Sequence, residues 1–265
     1  MIATLRGQRI HYDLAGPPSA PVVCLAHSLS ADGGIWSDQL SPLLARGWQV
    51  LRLDMRGHGG SAPVAGDCTM TMLAEDVVAV LDFLGISQVH FVGVSIGGMI
   101  GQMLAIDHAS RLRSMVLCDT APRTAPGAAA LWEARFTAIR AANSVEPLAD
   151  ETMRRWFTDA FKARRADRWK EVRETIASTS PEGYFAAGAA IIGFDALSGL
   201  RAVEVPTLVI CGADDPGTPP AGNREIAGLI PGARYEEIAD ARHIPMLEHP
   251  ETFNRLLLDW LASKR

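Results

Sequence analysis

The chain has 265 residues, with 25 basic and 30 acidic side chains for a formal net charge of -5, and 48% of its residues are hydrophobic. That length suits one large α/β domain, or one core domain carrying an insertion, and the apolar fraction is enough for a sizeable core. Mild acidity argues against binding a phosphate backbone, which needs clustered positive charge. No apolar run approaches bilayer-spanning length, and the first residues lack a long apolar stretch with a small-residue cleavage site. A cytoplasmic protein is expected, with a small-molecule substrate and neither nucleic acid nor membrane as partner; self-association is left open.

In chain order, Ile2–Leu5 and Ile10–Leu14 predict an antiparallel hairpin on a sheet edge. The runs Val22–Ala26, Gln49–Asp54, Val89–Val94, Ser114–Cys118 and Thr207–Cys211 are nearly all apolar. Such runs suit strands buried on both faces of a mostly parallel sheet. Between them, Met72–Leu84 sets Leu73, Val77, Val80, Leu81 and Leu84 on one helical stripe, and Ile96–His108 reads as a helix directly after the third of these strands. Alternation of strand and helix predicts a doubly wound α/β sheet.

The alternation stops after Asp119 and resumes at Val205. Between them, Trp132, Trp156 and Trp169 sit in helical patterns with no convincing strand. The expected organisation is a core formed by residues 1–124 and 201–265, with a helical cap at 125–200. Within it, the basic residues Lys162, Arg164, Arg165, Arg168, Lys170 and Arg173 are interleaved with Asp167, Glu171 and Glu174, which predicts a solvated helix face. Cys24, Cys68, Cys118 and Cys211 show no metal-ligand spacing and read as reduced core thiols.

The strongest motif is Gly93-Val94-Ser95-Ile96-Gly97, a G-x-S-x-G between an apolar run and a helical one. A strand turning sharply into a helix leaves the serine hydroxyl exposed, and the glycines give room for the turn. The helix N-terminus adds free N–H groups and a positive dipole end. Serine needs a base within hydrogen-bond reach to act as a nucleophile at neutral pH. In serine hydrolases of this motif the chain order is Ser, then Asp or Glu, then His. His243 fits as base, on a loop between the strand-like Tyr235–Ile238 and a terminal helix from about Pro250; His249 is the competitor. The acid should follow Thr207–Cys211, where Gly212…Asp215…Pro219 favours Asp215 over Asp214. The oxyanion hole should use the backbone N–H of Ile96 and one from His27-Ser28-Leu29-Ser30, assigned to Leu29.

On these residues the chain resembles the α/β-hydrolase superfamily throughout, and most of all the 3-oxoadipate enol-lactonases. The matching stretches include His27-Ser28-Leu29 with Trp36, Asp54-Met55-Arg56-Gly57-His58-Gly59 and Gly93-Val94-Ser95-Ile96-Gly97-Gly98. Further matches are Val116-Leu117-Cys118-Asp119-Thr120 and, in the cap, Arg155-Trp156-Phe157 and Gly183-Tyr184. The resemblance implies an eight-stranded α/β-hydrolase sheet flanked by helices, and opening of a small lactone or ester through an acyl-enzyme, with no metal or organic cofactor. Trp132, Arg135, Trp156 and Ile192 are the expected cap residues of the substrate pocket. Ile192 occupies the place where lactonases of this kind tend to carry an arginine, so another cation, Arg135 or Arg154, is expected to meet a substrate carboxylate. Competing readings are a general carboxylesterase with an apolar acyl pocket, a hydrolase of C–C bonds in ring-fission products, and a non-catalytic receptor on the same fold.

Overall fold

The apolar runs become the strands of one eight-stranded sheet, in the computed structural model that describes every residue except Arg6, Val64, Ala65 and Asp67. The strands are β1 Ile2–Leu5, β2 Gln8–Ala15, β3 Val22–Ala26, β4 Gln49–Leu53, β5 Val89–Val94, β6 Leu112–Cys118, β7 Thr207–Gly212 and β8 Arg234–Ile238. Their spatial order is β1-β2-β4-β3-β5-β6-β7-β8. The first two pairings, β1 with β2 and β2 with β4, are antiparallel, and the rest are parallel. Every residue of β3, β5 and β7 is buried, as strands covered on both faces must be.

Side chains one residue apart on a strand point to opposite faces, and the core divides accordingly. Cys24, Ala26, Phe91 and Leu117 pack into one cluster, and Val23, Leu25, Val92 and Val116 into the other. The first cluster is covered by α2 Met70–Phe83 and α3 Ile96–Asp107, the second by α1 Ser37–Ala45 and the C-terminal helix Pro250–Ala262. Thr69 caps α2 by accepting the N–H of Met72, which starts the helix two residues before the apolar stripe alone suggests.

Between β6 and β7 the chain forms α4 Ala129–Ala142, α5 Glu146–Trp156, α6 Asp159–Arg164, α7 Ala166–Ser178, α8 Pro181–Ile192 and α9 Leu197–Leu200. The only strand-like feature among the described residues there is an isolated bridge from Arg123 to Asp195. The chain continues with α10 Pro220–Leu229 after β7, and with α11 Pro245–Glu248 and α12 Pro250–Ala262 after β8. No helix among the described residues is long and apolar enough to cross a membrane. All four cysteines are buried and free.

On α6 and α7 the basic run forms in part the solvated face its composition suggests, with Lys162, Arg164 and Lys170 exposed, but three of its arginines also hold fixed partners. Arg165 pairs with Asp38 on α1, Arg168 donates to the Gly34 carbonyl at 2.6 Å, and Arg164 donates to the Glu248 carbonyl at 2.5 Å. These guanidiniums tie the helical insertion to the sheet-bearing part of the chain. Backbone contact does the same elsewhere: a Cβ built on Gly183 of α8 would lie 2.0 Å from the Gly57 carbonyl oxygen, and only a residue without one permits that approach.

Candidate active site

The turn from β5 into α3 holds Ser95 at φ 59°, ψ -120°, a region that L-residues rarely adopt. Its neighbours make the turn possible. A Cβ on Gly93 would sit 2.2 Å from the Gly97 oxygen, and one on Gly97 would sit 2.5 Å from the Ala26 oxygen. The Ser95 N–H donates to the Cys118 carbonyl at 2.9 Å, and the Thr120 hydroxyl donates to the Ser95 carbonyl at 2.8 Å. The turn is thus held from β6 and the residues just after it on both sides of the serine, leaving its hydroxyl as the free end.

His243 follows β8 and lies across the same cavity. Its Nδ1 is 2.8 Å from Asp215 Oδ2, with both side chains buried. Asp215 has two further donors: the Thr218 hydroxyl at 2.6 Å on Oδ2 and the Gly217 N–H at 2.7 Å on Oδ1. Burial works against its charge, but His243 beside it and these donors hold its carboxyl down to about 2. Asp214 is exposed at the surface. His249 is engaged with the Asp240 carbonyl at 2.9 Å. Neither of these two competitors lines the cavity.

A buried carboxylate outside the cavity positions the histidine loop. Glu248 Oε2 accepts the Arg242 N–H at 2.6 Å, while Oε1 accepts the N–H and hydroxyl of Thr158 at 2.7 and 2.6 Å. The residue before His243 is therefore linked to the N-cap of α6. The signal in sequence is weak, since a glutamate shortly after a histidine has no local meaning until the chain turns it back.

The loop after β3 supplies Ser28, Leu29 and Ser30 to the cavity wall. His27 fixes that loop: it donates from Nδ1 to the Ser28 carbonyl at 2.8 Å and accepts the Met55 N–H on Nε2 at 2.9 Å. Burial lowers its proton affinity, which keeps this neutral tautomer. Ile96 opens α3 directly after Ser95, so its N–H has no partner within the helix. The Ser28 and Ser30 hydroxyls are buried and lack a partner among the described residues.

The cavity encloses about 450 Å³. Its insertion side is formed by Leu131, Trp132, Arg135, Arg155, Trp156 and Ile191 among others. Trp156 stands over the histidine, ring centroids 6.0 Å apart. Arg135 lies over the Trp132 ring at 5.1 Å. Two sequence expectations are corrected. Ile192 does not line the cavity; it ends α8 at 39% exposure, and its neighbour Ile191 faces inward instead. The second cation is Arg155, not Arg154, because one residue of helix turns the side chain about 100°. Arg154 points to solvent, whereas the half-buried Arg155 lines the cavity, its guanidinium close to Gly217. Burial, and Arg135 nearby, lower the Arg155 pKa from its ordinary value, so an anion in the cavity would be favoured.

This arrangement sets a serine, a carboxylate-held imidazole and two guanidiniums on the wall of one cavity. A family profile described as alpha/beta hydrolase fold matches residues 21–250. By sequence, 3-oxoadipate enol-lactonase 1 of Acinetobacter baylyi is 32% identical over 265 residues, spanning 99% of this chain and 97% of that protein. By structure, the enol-lactonase of Burkholderia xenovorans LB400 superimposes with a TM-score of 0.94 at 35% identity, covering 99% of this chain and 100% of that one. A thermophilic esterase of Thermogutta terrifontis, with malate bound, gives 0.92 at 26% identity over 100% and 98%. With a family match over most of its length and relatives this similar, the chain belongs to the α/β-hydrolase fold family.

Proposed function

We propose that this hydrolase opens small carboxylic lactones and esters, preferring those that carry a carboxylate, as a 3-oxoadipate enol-lactonase does. The observation that carries the reading is one cavity wall shared by the Ser95 turn and a histidine whose Nδ1 is held by a buried carboxylate at 2.8 Å. Ser95 Oγ attacks the carbonyl carbon while His243 Nε2 takes its proton. Asp215 holds the imidazole in that tautomer and stabilises its cation. The N–H groups of Leu29 and Ile96 receive the oxyanion. His243 then returns the proton to the leaving oxygen. In a lactone that oxygen stays tethered to the acyl group, so water, deprotonated by His243, must reach the ester before the ring closes again.

In this reading residues 125–200 serve as a cap, and its cations choose the substrate. Arg135 and Arg155 take the part of the arginine that is missing at position 192, since a guanidinium binds a carboxylate through two parallel hydrogen bonds. The similarity to two enol-lactonases supports this, as does the dicarboxylate bound to the esterase neighbour.

The test is turnover of 3-oxoadipate enol-lactone and of a neutral aryl acetate by the purified protein. Lactone opening that disappears in Ser95→Ala is expected. Arg155→Gln and Arg135→Gln should raise KM for the carboxylate substrate by about tenfold, the value of one charge-assisted contact, and leave KM for the neutral ester unchanged. Ester turnover without any lactone opening would defeat the narrower claim. Absence of both, with no labelling of Ser95 by a fluorophosphonate, would defeat the whole reading.

A further inference from the structure

One buried carboxylate beside the site has no part in the chemistry above. Asp119 directly follows β6, at φ 42°, and is fully buried. Its N–H donates to the Ile210 carbonyl at 3.0 Å, and its Oδ1 accepts the Gly212 N–H at 2.8 Å. It therefore stitches the ends of β6 and β7 together where the Asp215 loop begins. Its other oxygen, Oδ2, has no hydrogen-bond partner among the described residues. One oxygen of Asp119, one oxygen of Asp215 and a ring nitrogen of His243 all lie within 4.8 Å of one another.

The groups facing Asp119 are the Cys118 thiol from β6, the Cys211 thiol from β7, the Asp215 carboxylate from the following loop and His243 from beyond β8. Apart from the histidine, which Asp215 already engages, none offers positive charge. Two carboxylates this close in a dry interior cannot both ionise cheaply. The donors decide which keeps the proton. Asp215 has three, from His243, Thr218 and Gly217, while Asp119 has the Gly212 N–H and only the weak donor of the Cys211 thiol besides. Burial, with the Asp215 charge next, pushes the Asp119 carboxyl well above the usual carboxylate range. A proton on Oδ2 turns an orphan acceptor into a donor. Asp215 Oδ1, which takes only the Gly217 N–H among the described residues, has a lone pair left to receive it.

We infer that Asp119 is a neutral carboxylic acid that donates a hydrogen bond to the Asp215 carboxylate, and so is a positioning residue for the Ser95–His243–Asp215 reaction. The inference rests on the proposed serine-hydrolase reading for its kinetic consequence, but the protonation state is a property of the folded protein alone. The added donor fixes the rotation of the Asp215 carboxylate toward His243 and moderates its charge.

Infrared difference spectra near neutral pH test the proton directly. The parent and Ser95→Ala should both show the carbonyl stretch of a protonated carboxylic acid, shifted in heavy water, and Asp119→Asn should lack it. Kinetics on the neutral aryl ester test the role. Asn keeps both the acceptor for Gly212 and a donor for Asp215, so Asp119→Asn should keep kcat/KM within about threefold and leave the acid limb of the pH profile in place. Asp119→Ala removes the donor and should lower kcat by about tenfold with KM unchanged. Absence of the band in the parent, or its persistence in Asp119→Asn, would overturn the proposal. So would an acid limb displaced to lower pH in Asp119→Asn, because that would mean a negative charge had been removed beside His243. If Asp119→Ala does not fold, the spectra and the Asn variant still decide the matter. A parent that fails to label with fluorophosphonate yet shows the band would sink the serine-hydrolase reading and leave the neutral acid standing.

Discussion

Replacing Asp215 by asparagine exchanges one carboxylate oxygen for an NH2 group, and the surrounding donors set the consequence. In the parent, Oδ1 accepts the Gly217 N–H, and Oδ2 accepts from His243 Nδ1 and the Thr218 hydroxyl. With the amide oxygen kept on Gly217, the new NH2 faces His243, so Nδ1 must accept and the ring proton moves to Nε2. That tautomer is no base for Ser95. Flipping the amide restores the tautomer but sets NH2 against the Gly217 N–H. Two opposed donors cost about 1–3 kcal/mol, so only about one molecule in 5 to 150 keeps the productive ring. The lost carboxylate charge on the imidazolium removes about 1.5–3 kcal/mol more in the transition state. Together these lower kcat by about 10² to 10⁴, with little change in KM. Steady-state turnover of a neutral aryl ester, with circular dichroism to verify the fold, measures it. A folded variant within about tenfold of the parent kcat would refute the reasoning.

Ser95→Ala should lower kcat by about 10⁵ without loss of structure, read by the same assay and by loss of fluorophosphonate labelling. Gly183→Ala forces the α8 backbone away from Gly57, at about 1–3 kcal/mol. For a chain of this size the melting temperature should fall by about 2–6 °C in calorimetry, and an unchanged value would mean that the two backbones are not in contact. Ile192→Arg should leave the ratio of activities on charged and neutral esters unchanged, because the side chain is outside the cavity; a swing toward anionic substrates would place it at the pocket after all. Asp215 titrates at about 2 against an ordinary 3.8, so below that ordinary value the unfolded chain takes up its proton first. Its stabilisation is complete above about pH 4 and fades as pH falls toward 2, and melting curves across that window should be flatter for Asp215→Asn.

The α/β sheet was legible because its central strands are buried on both faces, so their apolar runs leave little room for another reading. The G-x-S-x-G turn was legible because a backbone with oxygens 2.2 and 2.5 Å from any added Cβ admits only glycine at Gly93 and Gly97. Chain order then singled out His243 and narrowed the acid to two neighbouring aspartates. Other features were decided by tertiary structure. Whether Arg154 or Arg155, and Ile191 or Ile192, faces the cavity depends on the rotational phase of α5 and α8, which their docking sets and their local patterns do not. The basic helices found partners on Asp38, Gly34 and Glu248, which lie 127, 134 and 84 positions away along the chain. The role of Asp119 depends on another carboxylate far along the chain, reached only once β6 and β7 lie side by side. Sequence determines what each segment can bury, because that is a property of its own side chains. Which polar groups meet, and which of two acids keeps a proton, is decided only by the folded chain, because electrostatic energy depends on distances that the fold alone creates.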